Sequence, residues 1–215
     1  MIKSLSIIFP VYNEELRLKS SFNHIRSFLK KKKNFKIEMI FVDDGSKDNT
    51  YKIINKFIKN FKTNKKIKFK LINLKNNSGK GAALKLGVKN AKYDWILTTD
   101  IDMSVSLFQI YNWIEKQLIK KKYLVYFGSR SHPKSIVERV YFRKIIGDIG
   151  CFLISIILNI KIKDTQCGYK LYKKHCAKFA FSKLINCGFD HDLELIMLLR
   201  SKNIKIVELP VKWKH

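Results

Sequence analysis

Trp95-Ile96-Leu97-Thr98-Thr99-Asp100-Ile101-Asp102 is a short apolar run that breaks into two carboxylates at i and i+2. Its length and its apolar and β-branched residues predict a buried strand over 95–99, with both Asp where the strand leaves the sheet. Carboxylates so placed can face one side and share a divalent cation. Hard oxygen ligands suit Mg2+ or Mn2+, which keep coordination positions open for phosphate oxygens. A D-x-D triplet is short, and Asp100 and Asp102 also read as a helix cap and a surface charge. A second strand end of the same kind, Phe41-Val42-Asp43-Asp44-Gly45-Ser46, gives the triplet weight, although Asp-Gly-Ser is also an ordinary turn.

The chain on either side alternates two periodicities. Leu5 to Phe9 reads as a strand ending at Pro10, and Glu15 to Leu29 as a helix with the stripe Leu18, Phe22, Ile25 and Leu29. A strand is predicted over 37–42. A helix opened by Asp48-Asn49-Thr50 follows, then a strand over 67–74 and a helix over 79–89. Repeated β-α-β units predict an α/β fold with a largely parallel, Rossmann-like sheet and helices on both faces. Ligands bind such sheets beyond the carboxyl ends of the strands, where Pro10-Val11-Tyr12-Asn13-Glu14, Asp43-Asp44 and Asp100-Ile101-Asp102 all fall. The second half reads differently. A strand over 124–128 leads to Ser129-Arg130, and a basic, aromatic segment, Arg139 to Lys144, runs into apolar residues up to Ile160. A polar loop, Asp164 to Lys170, a helix from near Asp190 and a strand over 204–209 complete the chain. No internal repeat or low-complexity linker interrupts it, so one domain of 215 residues is expected.

The net charge of +27 points to nucleic acid, an anionic membrane or phosphate-bearing substrates, but Lys outnumbers Arg 38 to 6. That bias also reads as compositional drift on a solvated surface, and the Lys30 to Lys33 run as a helix end. A nucleic-acid-binding module is disfavoured: no helix-turn-helix, zinc motif or stacking platform is present, and acidic strand ends repel phosphate. Cys151, Cys167, Cys176 and Cys187 lack C-x-x-C spacing, which argues against a zinc or redox site. No signal peptide is read at the start, so a cytosolic chain with reduced thiols is expected. The apolar stretch over 149–158 is too short to span a bilayer.

Asn77-Ser78-Gly79-Lys80-Gly81 looks like a phosphate loop, but Leu74 and Gly81 stand where a Walker A loop needs Gly and a hydroxyl residue. A glycine-rich helix start carrying a Lys remains, a reasonable anion contact or a simple turn. Arg130 and Arg143, scarce in a Lys-biased chain, suit bidentate phosphate binding, with a surface ion pair as the plainer reading. Asp192 and Glu194 sit near a helix start, where they favour the dipole. The five His form no cluster in the sequence.

Together these stretches resemble the inverting GT-A nucleotide-sugar transferases of glycosyltransferase family 2. The resemblance is strongest to the branch that loads sugars, glucose among them, onto dolichyl and other polyprenyl phosphates. It runs from Phe9 to Glu14 with Arg17, through Val42 to Ser46, Asn77 to Ala83, Thr99 to Asp102 and Gly128 to Arg130. Arg139 and Arg143, Asp164 to Lys170, Asp192 to Leu195 and Glu208 to Trp213 continue it in order.

The resemblance implies a GT-A fold with residues 1–130 binding the nucleotide-sugar and a C-terminal helical segment within 131–215 facing acceptor and membrane. It implies that Pro10, Tyr12, Glu14, Asp43 and Asp44 hold the nucleoside, with Asn77 and Lys80 helping. Asp100 and Asp102 set Mg2+ or Mn2+ on the diphosphate, Arg130 faces the donor phosphates, and Arg143 faces the acceptor phosphate. Arg139, Asp164, Gln166, Lys170, Asp192 and Glu194 belong to the acceptor side. The donor leans to UDP-glucose, with GDP-mannose open. Transfer to a glycan hydroxyl is an alternative, with Asp192 then the candidate base. Tyr169 stands where the family more often has Phe. No transmembrane anchor is read, whereas relatives carry one at either end. The segment Tyr141 to Ile160 is therefore expected to lie on the cytoplasmic face of a membrane as amphipathic helices, with Arg139, Arg143 and Lys144 at headgroup level; a core helix pair is the plainer reading.

Overall fold

A computed structural model describes residues 2–31, 35–61, 66–138, 162–188 and 190–214. The expectations for Arg139, Arg143 and the Tyr141 to Ile160 segment lie outside the described residues. The elements in order are β1 (Ser4–Val11), α1 (Glu15–Lys30), β2 (Lys36–Asp43), α2 (Thr50–Asn60), β3 (Ile67–Asn73), α3 (Lys80–Asn90) and β4 (Trp95–Thr98). Then come α4 (Gln109–Glu115), β5 (Val125–Ser129), β6 (Ile136–Val137), β7 (Lys170–Lys173), α5 (Lys174–Lys183), α6 (His191–Arg200), β8 (Ile206–Pro210) and β9 (Lys212–Trp213).

Seven strands form one sheet in the order β3-β2-β1-β4-β7-β5-β8, and β6 pairs with β9 in a two-stranded ribbon. The β1, β2, β3 and β4 pairings are parallel, as is β5 with β8. Strand β7 runs antiparallel between β4 and β5. The α/β expectation holds, with one reversed strand inserted at the middle of the sheet.

Strand alternation sorts the core into two layers. Leu5, Ile7 and Phe9 of β1 pack with Phe22, Ile25 and Phe28 of α1 on one face. Ile8, Ile40, Val42 and Ile96 pack with Ala83, Leu84 and Val88 of α3 and with Leu195 and Ile196 of α6 on the other. Each fully buried Leu, Ile or Phe contributes about 1.5–3 kcal/mol, so both faces hold the sheet. At the free edge, β3 turns Lys68 and Lys70 outward, which discourages further strand pairing. The central strands β2, β1 and β4 thus end side by side, and their carboxyl ends with the start of α3 form one mouth. Among the described residues no helix is long and apolar enough to cross a membrane.

Candidate active site

Two clefts open at this mouth. The larger, about 350 Å3, is lined by Pro10, Tyr12, Glu14, Asp44, Asn77, Lys80, Asp100 and Asp102, among others. The smaller, about 200 Å3, is lined by Asp100, Asp102, Ser104, Arg130, Gln166, Cys167, Gly168 and Trp213, among others. Asp100 and Asp102 border both.

The loops that build the larger cleft are tied to one another. Asn13, at φ +53, donates its amide to Ser46 Oγ at 2.9 Å, and its Oδ1 accepts from the Lys47 amide at 2.8 Å. Glu14 pairs with Arg17 at 2.9 Å, and its amide donates to Thr50 Oγ1. Asp43 is buried behind the cleft, where it accepts from the amide and hydroxyl of Ser46. Burial, helped by Asp48 and Asp44, pushes the Asp43 carboxyl above its ordinary range against those hydrogen bonds. Asp44 borders the cleft, and its two oxygens accept the amides of Ser78 and Gly79 at 2.8 Å each.

Asp44 therefore caps α3 from outside the helix. Gly79 lies at φ +95, a conformation only Gly adopts readily, and a Cβ there would sit 2.2 Å from the Cys187 carbonyl oxygen. The Gly81 amide donates to that same carbonyl at 2.9 Å. The amides of Ser78, Gly79 and Gly81 are thus already engaged, and the helix start also carries the Lys80 ammonium. Lys80 Nζ lies 2.6 Å from Asp100 Oδ1. Burial works against its charge, but Asp100, then Asp192 and Asp102, outweigh that and raise its pKa.

Asp100 is held from behind as well. Its carboxylate lies against Gly168, where a Cβ would come within 2.4 Å of Oδ2. Asp102 accepts from the amide and hydroxyl of Ser104 at 2.9 and 2.8 Å. Among the described residues no three His, Cys, Asp or Glu cluster as a metal cage. Two carboxylates at a shared cleft wall fit instead an ion that takes its other ligands from water and phosphate, as Mg2+ and Mn2+ do.

On the other side, Arg130 clasps Asp164 through Nε and Nη2, both at 2.7 Å, and its amide donates to the same carboxylate at 2.7 Å. Despite burial, the guanidinium holds Asp164 below the usual carboxylate range. Glu208 fixes this loop by accepting the amides of Lys163 and Asp164 at 3.0 Å each. Arg130 lines the smaller cleft and not the larger one. Gln166 lines that cleft too. Burial raises the Cys167 thiol to about 11, so it stays protonated and is no nucleophile at neutral pH. Tyr169 is buried against Trp113, its hydroxyl 3.5 Å from the Leu107 carbonyl.

Lys170 and Asp192 do not reach either cleft. They form a buried pair at 2.7 Å, with His191 Nε2 3.1 Å from the same oxygen, around a cavity of about 10 Å3 beneath Lys80 and Asp100. Burial would raise the Asp192 pKa, but Lys170 and His191 bring it down to about 2. Glu194 accepts the amides of Ile185 and Asn186 at 2.8 and 2.7 Å, which shapes the loop that seals α3 and keeps it off both clefts. Sequence reading assigned no role to Gly168, Ser104, His191 or Glu208. Gly168 and Glu208 fall within the stretches that carry the resemblance; Ser104 and His191 carry no pattern.

Residues 6–179 match the model of the family described as Glycosyl transferase family 2. The human dolichyl-phosphate beta-glucosyltransferase is 34% identical over 98% of this chain and 67% of its own length. That of Dictyostelium discoideum is 35% identical over 97% of this chain and 66% of its own length. That of Saccharomyces cerevisiae is 32% identical over 97% and 66%. The chain spans about two thirds of the length of these curated relatives. Among solved structures, glucosyl-3-phosphoglycerate synthase from Mycobacterium tuberculosis in complex with uridine-diphosphate aligns at TM-score 0.69 and 14% identity, covering 99% of this chain and 72% of that one. A mannosyltransferase from Pyrobaculum calidifontis in complex with GDP-Man and Mn2+ aligns at TM-score 0.61 and 15% identity, over 96% and 54%. Those identities speak to the fold, which the two structures share with this chain. With the family model covering most of its length and relatives matching nearly all of it, the chain belongs to glycosyltransferase family 2.

Proposed function

We propose that this chain is an inverting glucosyltransferase that moves glucose from UDP-glucose to the phosphate of dolichol or a related polyprenol, peripherally on the cytoplasmic face of a membrane. The observation that carries the reading is the Asp100–Asp102 wall shared by two clefts, one holding Lys80 and the other Arg130. Similarity to dolichyl-phosphate beta-glucosyltransferases along nearly the whole chain supports the choice of sugar and acceptor. A lipid acceptor requires a membrane surface, and the basic excess suits an anionic one.

In this reading the larger cleft takes the nucleotide, with Tyr12, Asp44 and Asn77 around the nucleoside and Lys80 at the diphosphate. Asp100 and Asp102 would hold Mg2+ or Mn2+, which neutralises charge developing on the leaving diphosphate. Because Asp100 Oδ1 also grips Lys80, one carboxylate sets both the cation site and the direction of the ammonium. Arg130, kept in plane by Asp164, presents a cationic edge to the acceptor phosphate in the smaller cleft. An oxygen of that phosphate forms the new bond to the anomeric carbon as the bond to the diphosphate breaks on the opposite face. A phosphate monoester dianion is nucleophilic near neutral pH and needs no side chain to remove a proton.

The glycan-hydroxyl alternative requires such a base, and its candidate, Asp192, is buried, ion-paired and held at a pKa of about 2. A carboxylate that weak in basicity, lining neither cleft, favours the phosphate acceptor over the hydroxyl. The test is a transfer assay with UDP-glucose or GDP-mannose against dolichyl phosphate or a glycan, with Mn2+ or Mg2+. Glucose appearing in the organic phase with UDP-glucose and dolichyl phosphate alone is the expected result. Transfer only to the glycan would overturn the reading.

A further inference from the structure

The reversed strand β7 places one residue beside both halves of the site. Lys170 pairs across the sheet with Thr98, two residues before Asp100, and with Phe127, three before Arg130. Alternation puts Lys170 on the same face as Tyr172, which packs in the layer containing α3 and α6. Its side chain is 2% exposed, and its ammonium meets Asp192 of α6 at 2.7 Å. Its carbonyl and that of Gly168 lie within reach of Thr98 Oγ1, at 3.5 and 3.2 Å.

Three ion pairs therefore surround the site: Lys80–Asp100 and Arg130–Asp164 at the cleft walls, and the buried Lys170–Asp192 beneath them. The buried pair acts on both others, since Asp192 supports the charge of Lys80 and Lys170 that of Asp164. A fully buried pair seldom adds net stability over apolar side chains of similar volume, so stability alone gives this one little reason to exist.

We propose that Lys170, paired with Asp192, is a positioning residue of the transfer reaction: it touches neither substrate and holds the strand ends of Asp100 and Arg130 in mutual register. The inference rests on the functional reading above, and its consequence is specific. Removing the pair leaves the donor cleft able to bind nucleotide but misaligns it with the acceptor cleft. A misplacement of about 1 Å costs roughly a hundredfold in rate.

The test uses Lys170→Met/Asp192→Leu, which removes both charges together, and Lys170→Gln, which keeps a hydrogen bond to Asp192 should the double variant not fold. Melting temperature, Mn2+-dependent UDP affinity by calorimetry and steady-state transfer from UDP-glucose to dolichyl phosphate are measured on each. Expected are a folded protein, UDP affinity within about threefold of wild type and a kcat for transfer down by about thirtyfold or more. Lowered UDP affinity in step with kcat would show general damage to the site and overturn the inference. Transfer at the wild-type rate would overturn it too and leave the functional reading standing. A wild type that transfers nothing overturns both.

Discussion

Gly168→Ala isolates the geometry of Asp100 from the stability of the fold. A Cβ at position 168 would meet Asp100 Oδ2 at 2.4 Å, Cγ at 2.9 Å and Oδ1 at 3.1 Å. Those are its three nearest neighbours, so the clash is with the mobile end of one side chain rather than with backbone. Ordinary contact starts near 3.4 Å, and the carboxylate must swing by about 1 Å. That swing breaks the 2.6 Å contact with Lys80 and re-aims an oxygen on the wall between the clefts. Gly168 is not among the residues of positive φ, so Ala is compatible with its backbone and trims the unfolded ensemble by about 0.4–1 kcal/mol. The melting temperature is therefore expected to hold or rise slightly, while transfer from UDP-glucose falls by about a hundredfold. Calorimetry with UDP and Mn2+ should show weakened binding alongside. A variant that melts like wild type and keeps rate and UDP affinity within about threefold would refute the claim that Asp100 must stand where Gly168 lets it.

Gly79→Ala is the contrasting case. Its Cβ meets a backbone carbonyl at 2.2 Å and its φ is +95, so a loss of about 3 kcal/mol, roughly 6–12 °C, is expected by calorimetry, and an unchanged melt would contradict the packing of the 185–188 loop on α3. Asp44→Asn leaves one acceptor oxygen for two amides and should cost about 1–3 kcal/mol in urea unfolding; no change in midpoint would show that solvent replaces the cap. Asp192 has a folded pKa of about 2, below its ordinary 3.8, so its stabilisation is complete above pH 3.8 and is lost as pH falls through 2. The stability gap between wild type and Asp192→Asn should narrow by about 2 kcal/mol from pH 5 to pH 2, and a constant gap would argue against the ion pair. Chelation by EDTA should weaken UDP binding by at least about tenfold, restored by Mn2+; equal affinity with and without chelator would remove the metal from the site.

Much of the first half was legible because β1, β2 and β4 are largely apolar runs, the pattern that burial on both faces imposes, the edge strand β3 alternates, and the helices carry clear stripes. Predicted and observed boundaries there differ by one or two residues at most ends, as between Leu5–Phe9 and Ser4–Val11. Lys-Leu-Tyr-Lys over 170–173 gave no such signal. A strand that begins with a buried ammonium is stabilised by a carboxylate 22 residues later, which no local pattern encodes, so the stretch reads as the tail of a polar loop. Helix α5 was missed beside it, although Cys176, Ala177, Ala180 and Phe181 make a buried stripe of helical period. Of the site, strand-end carboxylates were visible as types, but their hydrogen-bonding partners were not. That Asp44 caps α3, that Glu194 clamps the 185–186 amides and that Arg130 is held by Asp164 depend on contacts eight to thirty-five residues apart.

The charge inventory of the mouth runs opposite to that of the whole chain. Against a net +27, the site gathers, among the described residues, Asp43, Asp44, Asp100, Asp102, Asp164 and Asp192 around Lys80, Arg130 and Lys170. Four of these carboxylates are occupied: Asp43 by Ser46, Asp44 by two amides, Asp164 by Arg130 and Asp192 by Lys170. That leaves Asp100 and Asp102 facing both clefts, where Asp100 meets the Lys80 ammonium and Asp102 the amide and hydroxyl of Ser104. Apart from Lys80, no lysine among the described residues lines either cleft. A diphosphate entering this mouth adds negative charge to an acidic wall, and the wall becomes attractive only when a divalent cation arrives with it. In the proposed reading, lysines spread over the surface suit an anionic membrane, while the hold on the donor diphosphate would rest on two aspartates and the lysine that one of them aims.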